Sequence, residues 1–315
     1  MPTPNRRLWP WISLLVVYVV WGSTYLAIAV VVREQPPLAA ASLRFFSAGL
    51  VMAALAAFVD RGRSRPTARQ LADYALIGVL LLSFGNAFVM WSEKRIPSGI
   101  AALIVATVPL WLTLFDGLRP GGQSWTVRAW AGAAIGLLGV GLVARPEGGV
   151  SAGHWAAIVA LQVATLSWTA GSLYAQSLPK KLPLFTASAV EMLAGSLVLF
   201  VESRLFGEDL GAFATASSRS WLALLYLGIF GSLIGFTAFA YCLNELPAST
   251  VGTYAYVNPV VAVGLGHAFL GEALSPGLLA GAALILLAVL LTTTRRGATR
   301  PQPVATPKLS EESAG

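Results

Sequence analysis

Charge is the first thing this sequence has little of. Asp, Glu, Lys and Arg supply 11% of its 315 residues, whereas a soluble globular domain carries about 25%, so an ordinary water-soluble enzyme is excluded. Cysteine is nearly absent: Cys242 stands alone, no intrachain disulfide can form, and the two histidines make no Cys/His cluster with zinc spacing. The sequence also lacks an H-E-x-x-H, a P-loop and a G-x-S-x-G motif, which leaves hydrolytic chemistry and an ATP-driven pump without apparatus. Gly264 and Gly266 begin a GxGxx pattern, but inside an apolar stretch with no preceding strand, so nucleotide binding is not expected. The net charge of +7 comes from basic residues scattered between apolar runs, never from a stripe with interleaved aromatics, and nucleic acid is not an expected partner. No enzyme activity, metal or cofactor is expected.

What is present is apolar sequence almost end to end, 56% hydrophobic with a mean hydropathy of +0.72, so the solvent for most side chains is hydrocarbon. A bilayer core about 30 Å thick needs about 20 apolar residues per helix. Cutting at charged and Pro/Gly punctuation gives ten spans, 10–32, 36–59, 71–92, 98–118, 126–144, 153–177, 184–205, 220–243, 248–270 and 275–294. Segments of about ten alternating residues, the mark of a membrane β-barrel, do not occur. Asn5-Arg6-Arg7 before an apolar run resembles a signal peptide, with Ala27-Ile28-Ala29 as its cleavage site; the run to Val32 is long enough to span, and an uncleaved first helix is expected. With both termini in the cytoplasm, fourteen loop and terminal Lys and Arg fall inside and six outside, namely Arg33, Lys94, Arg95, Arg145, Arg204 and Arg219, the orientation that basic residues favour. The tail, 295–315, is rich in Pro, Thr, Ser and charge and reads as disordered.

The chain repeats itself. Pro97 and Pro109 recur as Pro247 and Pro259 at an offset of 150; Gly78 and Gly85 recur as Gly228 and Gly235. Ala131-Gly132-Ala133-Ala134-Ile135 matches Ala280-Gly281-Ala282-Ala283-Leu284 at 149, and Trp21 matches Trp168 at 147. A five-helix unit has therefore been duplicated. Five is odd, so the second copy enters the membrane from the opposite side, and inverted repeats are the construction of many secondary transporters, although some channels share it.

Two ionisable residues fall well inside spans, Arg44 in the second and Glu191 in the seventh. A charge at the bilayer centre costs about 2.5 to 3.5 kcal/mol on insertion scales, so such residues face the protein interior or a water-filled path. A direct salt bridge between them and separate anchoring by carbonyls or water are both open. Pro109 and Pro259 each free a backbone carbonyl, and their equivalence in the two repeats points to a cavity wall rather than to packing alone. Tyr254 and Asn258 lie one turn apart, with Tyr256 and His267 nearby; His267 is a candidate proton relay or else a packed side chain. Trp21, Ser23, Thr24 and Tyr25, then Ser83, Asn86 and Trp91, then Trp168, Ser172 and Tyr174 would line a mixed aromatic and weakly polar cavity suited to amphipathic small molecules. The competing readings are interfacial aromatic belts and hydroxyls bonded to their own helices. Gly132/Gly136, Gly231/Gly235 and Gly277/Gly281 have the spacing for close helix packing.

Trp21-Gly22-Ser23-Thr24-Tyr25, Leu43-Arg44-Phe45-Phe46 with Gly49, Pro97-Ser98-Gly99-Ile100-Ala101-Ala102, Thr107-Val108-Pro109-Leu110, Tyr254-Ala255-Tyr256-Val257-Asn258-Pro259 and Gly271-Glu272 resemble the EamA family of the drug/metabolite transporter superfamily, across about residues 10 to 294. The resemblance implies an all-α carrier of ten transmembrane helices, with EamA units at 10–144 and 153–294, in the bacterial inner membrane. It implies export of amino acids, related metabolites or drugs by alternating access. The family's cavity lies between the repeats, which makes Trp21, Tyr25, Asn86, Trp168, Tyr254 and Asn258 substrate-binding candidates. Arg44 joins them on the charge argument, and Glu191, Pro109, Pro259 and His267 are candidates for coupling or gating. The expected partners are a small-molecule substrate and the lipid bilayer, with protons as a candidate coupling ion; monomer and homodimer are both open. An importer or exchanger of phosphorylated metabolites should show several embedded basic residues, where only Arg44 qualifies, and an intramembrane enzyme needs a nucleophile or metal constellation. One departure stands out: Gly271-Glu272 has no acidic counterpart after the fourth span, where Gly121-Gly122 stands.

Overall fold

Proline starts many of the helices, because a ring that lacks an N–H and fixes φ costs nothing in the first turn. The computed structural model describes residues 8–60, 65–117, 127–143, 152–179, 181–246, 251 and 253–293. The expected disordered tail 295–315, the loop cations Arg6, Arg7, Arg61, Arg63, Arg119, Arg145 and Lys180, and the Pro247 end of the repeated proline pair lie outside them. Helix α1 (Trp9–Val31) opens with Pro10, α2 (Pro37–Val59) on Pro36-Pro37, α4 (Ser98–Val105 with Val108–Asp116) after Pro97, α7 (Leu184–Leu205) after Pro183 and α10 (Pro276–Thr293) on its own proline. Helix α3 (Ala68–Glu93) starts differently, on a capping box: Gln70 N donates to Thr67 Oγ1 at 3.2 Å and Thr67 N to Gln70 Oε1 at 3.0 Å. The rest are α5 (Val127–Val143), α6 (Ala152–Ser177), α8 (Ser218–Glu245, in three segments) and α9 (Tyr254–Leu270), with a single turn at Ala212–Thr215.

Among the described residues all regular structure is helical. Six helices, α1, α2, α3, α6, α7 and α8, are long and apolar enough to cross a membrane, and four shorter apolar helices lie at Ser98–Leu112, Trp130–Val143, Val257–Leu270 and Pro276–Leu291. The 17 residues of α9 reach about 26 Å at 1.5 Å per residue, just short of a full hydrocarbon core. The fourth element is interrupted, with α4 made of Ser98–Val105 and Val108–Asp116 around a break at Ala106-Thr107. Large apolar side chains such as Phe58, Leu138, Leu222 and Phe269 point outward, as a hydrocarbon solvent allows.

Two π-helical stretches, Val79–Ala87 in α3 and Leu227–Ile234 in α8, occupy equivalent places in the two repeats. Such stretches are rare and concentrate at functional sites. The packing is reciprocal as well: α2 lies along α7 and α5 along α10, α1 packs on α8 and α9 while α6 packs on α3 and α4, and α4 meets α9. Helices α5 and α10 cross on Gly139 and Gly281, where a Cβ on Gly139 would stand 2.9 Å from the Gly281 carbonyl and one on Gly281 would stand 2.8 Å from the Gly139 carbonyl. Of the small-residue pairs expected to pack, Gly281 does so here, whereas a Cβ on Gly277 would come no nearer than 3.8 Å to another part of the molecule. Between α2 and α7, Ser42 Oγ donates to the Ser196 carbonyl at 2.8 Å.

Candidate functional site

The repeated tryptophans of the sequence meet at the centre of the bundle. Trp21 of α1 and Trp168 of α6 stand edge to face with ring centroids 6.5 Å apart. Each lies against a glycine of the other repeat: a Cβ on Gly85 would fall 3.2 Å from Trp168 Cε3, and one on Gly235 would fall 2.9 Å from Trp21 Cδ1. Only a residue without a side chain leaves room for the indole at these places. The Trp21 Nε1 donates to the Gly231 carbonyl at 3.3 Å, within the second π stretch, and its ring faces Tyr254 at 5.4 Å, Phe236 at 5.6 Å and Phe239 at 4.9 Å. The edge-to-face pairs with Trp168, Tyr254 and Phe236 add about 0.5 to 1.5 kcal/mol each beyond buried area.

Around this aromatic centre lies a cavity of about 100 Å³. Trp21, Thr24, Tyr25 and Ile28 come from α1, Arg44 from α2, and Gly85, Asn86 and Val89 from α3. Helix α4 supplies Ala102, Val105, Ala106 and Val108, α6 supplies Ala164, Thr165 and Trp168, α8 supplies Phe236, and α9 supplies Tyr254, Ala255, Asn258 and Pro259. All seven substrate-binding candidates, Trp21, Tyr25, Arg44, Asn86, Trp168, Tyr254 and Asn258, therefore share one wall-lined space drawn from both repeats. Phe236 and Thr165 are lining residues that sequence reasoning missed, since nothing in an apolar run distinguishes the face turned to a cavity from the face turned to lipid.

Arg44 is 3% exposed. Its Nε donates to Ser232 Oγ at 2.8 Å and its Nη1 to Asn86 Oδ1 at 3.3 Å, so the guanidinium is fixed by neutral groups of the two π stretches. No ion pair joins it to Glu191 among the described residues; the open question of a salt bridge is answered by these two acceptors. A guanidinium has five N–H donors, and the neutral acceptors leave its charge uncompensated beside the cavity.

A proline cannot bond the carbonyl four residues earlier; Pro109 stands in the first turn of the second half of α4, after the break, and Pro259 inside α9. The carbonyls concerned belong to Val105 and Ala255, and both residues line the cavity. Pro259 lines it directly, whereas Pro109, in the second half of α4, is not among the lining residues. Asn258 is 7% exposed, and its amide, oriented to suit its neighbours, donates to the carbonyls of Tyr254 and Tyr18 at 3.2 Å each. Tyr18 also bonds Thr253 through its hydroxyl, linking α1 to the start of α9.

The other candidates lie elsewhere. Glu191 lines no part of this cavity; its backbone is pressed against α3, where a Cβ on Gly78 would lie 2.6 Å from Glu191 Cα. His267 is exposed near the end of α9, its Nδ1 2.9 Å from the Glu272 carbonyl. Ser83 donates to Glu202 Oε1 at 2.8 Å, Tyr174 to Asp73 Oδ1 at 2.8 Å and Ser172 to its own helix at the Trp168 carbonyl. Trp91 carries the Arg95 guanidinium 3.6 Å above its ring. Among the described residues no group of three His, Cys, Asp or Glu side chains converges as metal ligands.

Comparison with known proteins agrees with this architecture. The pattern of the EamA-like transporter family matches residues 8–145 and again 155–294. The chain is 39% identical over 303 residues to the uncharacterized inner membrane transporter YedA of Escherichia coli (strain K12), covering 96% of both chains. It is 28% identical to a probable terminal-alkyne amino-acid exporter of Streptantibioticus cattleyicolor, covering 96% of this chain and 98% of that one. A solved crystal structure superposes with a TM-score of 0.62 at 23% identity, over 90% of this chain and 96% of its own, which shows a common fold. The chain belongs to the EamA-like transporter family, a multi-pass membrane transporter built of two EamA repeats.

Proposed function

We propose that this transporter is a secondary active exporter of small organic solutes in the bacterial cytoplasmic membrane. In this reading ten helices span the bilayer as two inverted five-helix repeats, both termini face the cytoplasm, and the cavity opens alternately to the two sides. The observation that carries it is the convergence of Trp21, Tyr25, Arg44, Asn86, Trp168, Tyr254 and Asn258, from both repeats, on one central space. A cavity at the interface of repeats is where a rocking carrier holds its cargo.

The chemistry of the lining favours a solute with an anionic group and an apolar or aromatic body. Arg44 supplies the cation, and the Trp21, Trp168 and Tyr254 rings supply surfaces for the body. Amino acids fit this description, and the likeness to a protein named as an amino-acid exporter supports the same class. A single embedded cation speaks against phosphorylated metabolites. Protons are the coupling ion proposed, with each charge moved worth about 2.3 kcal/mol per 100 mV.

The test is uptake and efflux in proteoliposomes with a panel of amino acids and cationic drugs, with and without an imposed proton gradient. Gradient-dependent movement of an amino acid supports the reading. Folded protein that moves no solute in the panel overturns it.

A further inference from the structure

Helix starts in this molecule are capped across the repeats by carboxylates, and the pattern of those caps is uneven. Glu208, just beyond α7, accepts from Leu38 N at 3.0 Å and Ala39 N at 2.8 Å in the first turn of α2. Asp60, just beyond α2, accepts from Thr186 N at 3.0 Å and Thr186 Oγ1 at 2.8 Å in the first turn of α7. These two caps are equivalent under the repeat, one at each end of the extensive α2/α7 pairing. A tie that exists identically at both ends cannot decide which end is open.

Two further caps use acids that the sequence does not repeat. Glu272 accepts from Ser98 N at 2.8 Å, Ser98 Oγ at 2.7 Å and Gly99 N at 3.1 Å at the start of α4, and the corresponding place after α4 holds Gly121-Gly122. Glu34 accepts from Ser217 N at 2.6 Å and Ser217 Oγ at 2.9 Å at the start of α8. Its equivalent after α6 is Lys181. The start of α3, equivalent to that of α8, is served by its own Gln70, whose Oε1 takes Thr67 N at 3.0 Å and Thr67 Oγ1 at 3.1 Å. Glu34 performs for Ser217 what Gln70 performs for Thr67, but it does so from the other repeat. At the opposite end, among the described residues, the acid that joins α3 to α6 is Asp73, which takes the Tyr174 hydroxyl rather than a helix start.

Both unpaired caps lie at the end carrying the α1–α2 connection, which faces outward if the termini are cytoplasmic, and both join helices that line the cavity. We propose that Glu34 and Glu272 are the outer gate of the carrier, two carboxylates whose release from α8 and α4 opens the cavity to the outside. The proposal rests on the alternating-access reading given above. Carboxylates on backbone N–H groups form charge-assisted bonds, strong enough to hold an end shut and local enough to break as units. The α2/α7 seam, held by Glu208 and Asp60, stays closed throughout the cycle.

The experiment reads opening rather than flux. In a Cys242→Ser background, Ala102→Cys on the cavity wall is modified by a membrane-impermeant maleimide added from outside to oriented proteoliposomes. Glu34→Gln with Glu272→Gln should speed modification at least threefold, while Glu208→Gln, the same chemistry at the same end, leaves it unchanged. Equal rates in the double variant and the parent overturn the proposal, as does equal acceleration by Glu208→Gln. Should the double variant fail to fold, Ser98→Cys with Glu272→Cys replaces the clasp with a disulfide. Oxidation should then slow modification at position 102 below the parent rate and reductant should restore it; no slowing overturns the proposal. A protein that moves none of the tested solutes still passes or fails this labelling test, so the gate and the transport reading fall separately.

Discussion

Arg44 and Glu191 are each the eighth residue of equivalent helices, α2 and α7, yet the fold uses them in opposite ways. Arg44 reaches the π stretches of α3 and α8 and borders the cavity. Glu191 lies where α7 and α3 touch backbone to backbone, at Gly78. The equivalent contact on the Arg44 side does not close: a Cβ on Gly228, the counterpart of Gly78, would meet nothing within 4 Å. An embedded charge therefore marks a site only where the neighbouring helix stands away and leaves room; the same position against a glycine crossing is part of the packing.

The largest effect expected from breaking this contrast is on transport. Arg44→Ala should lower proteoliposome flux at least tenfold, whereas Glu191→Gln keeps it within about twofold, since only the first faces the cavity. Because the loss leaves Ser232 and Asn86 without their partner, a stability cost of about 1 to 3 kcal/mol should accompany it, measurable by thermal unfolding in detergent. Next comes stability at the two glycines: Gly78→Ala should cost about 1 to 3 kcal/mol by overpacking, and Gly228→Ala should be neutral or gain up to about 1 kcal/mol. Equal melting shifts for the pair would remove the asymmetry. Trp21→Ala should impair flux more than Trp168→Ala, because Trp21 also meets Tyr254, Phe236 and Phe239.

The smallest effect is electrostatic. The Ser217 backbone N–H, then its hydroxyl, with Arg219 nearby, hold the exposed Glu34 carboxyl below the ordinary glutamate range against a smaller opposing effect of desolvation. A lowered folded-state value stabilises the protein above the unfolded value of about 4.3, and that contribution fades as pH falls through the folded-state value. The melting difference between the parent and Glu34→Gln should therefore be present at pH 7 and shrink below about pH 4.

Much of this was legible in the sequence because the bilayer imposes a simple rule of length and polarity. The repeat offsets were more telling still: Trp21 with Trp168 and Gly85 with Gly235 matched as letters, and in the fold each tryptophan seats on the other repeat's glycine. What stayed hidden depends on rotation about a helix axis. Periodicity is weak when every face is apolar, so Phe236 and Thr165 could not be told from lipid-facing neighbours, and Tyr174 and Ser83 looked like cavity groups although they bond acids elsewhere. Glu93 falls just past the 71–92 span drawn from the sequence, yet it is 6% exposed at the end of α3. Pro109 did signal the interruption of the fourth span, which falls at Ala106-Thr107 just before it, whereas α9 runs on through Pro259.

The borrowed helix caps bear on how the protein can be made. During synthesis α3 emerges with its own Thr67 and Gln70 and can finish its first turn unaided, whereas the backbone N–H groups at Leu38, Ala39, Ser98 and Gly99 must wait for acids encoded more than a hundred residues later. Losing a helix cap costs about 0.5 to 2 kcal/mol, and the first half alone would forgo two of them at one face. Each half has delegated part of its finishing to the other, so a half produced alone lacks these caps.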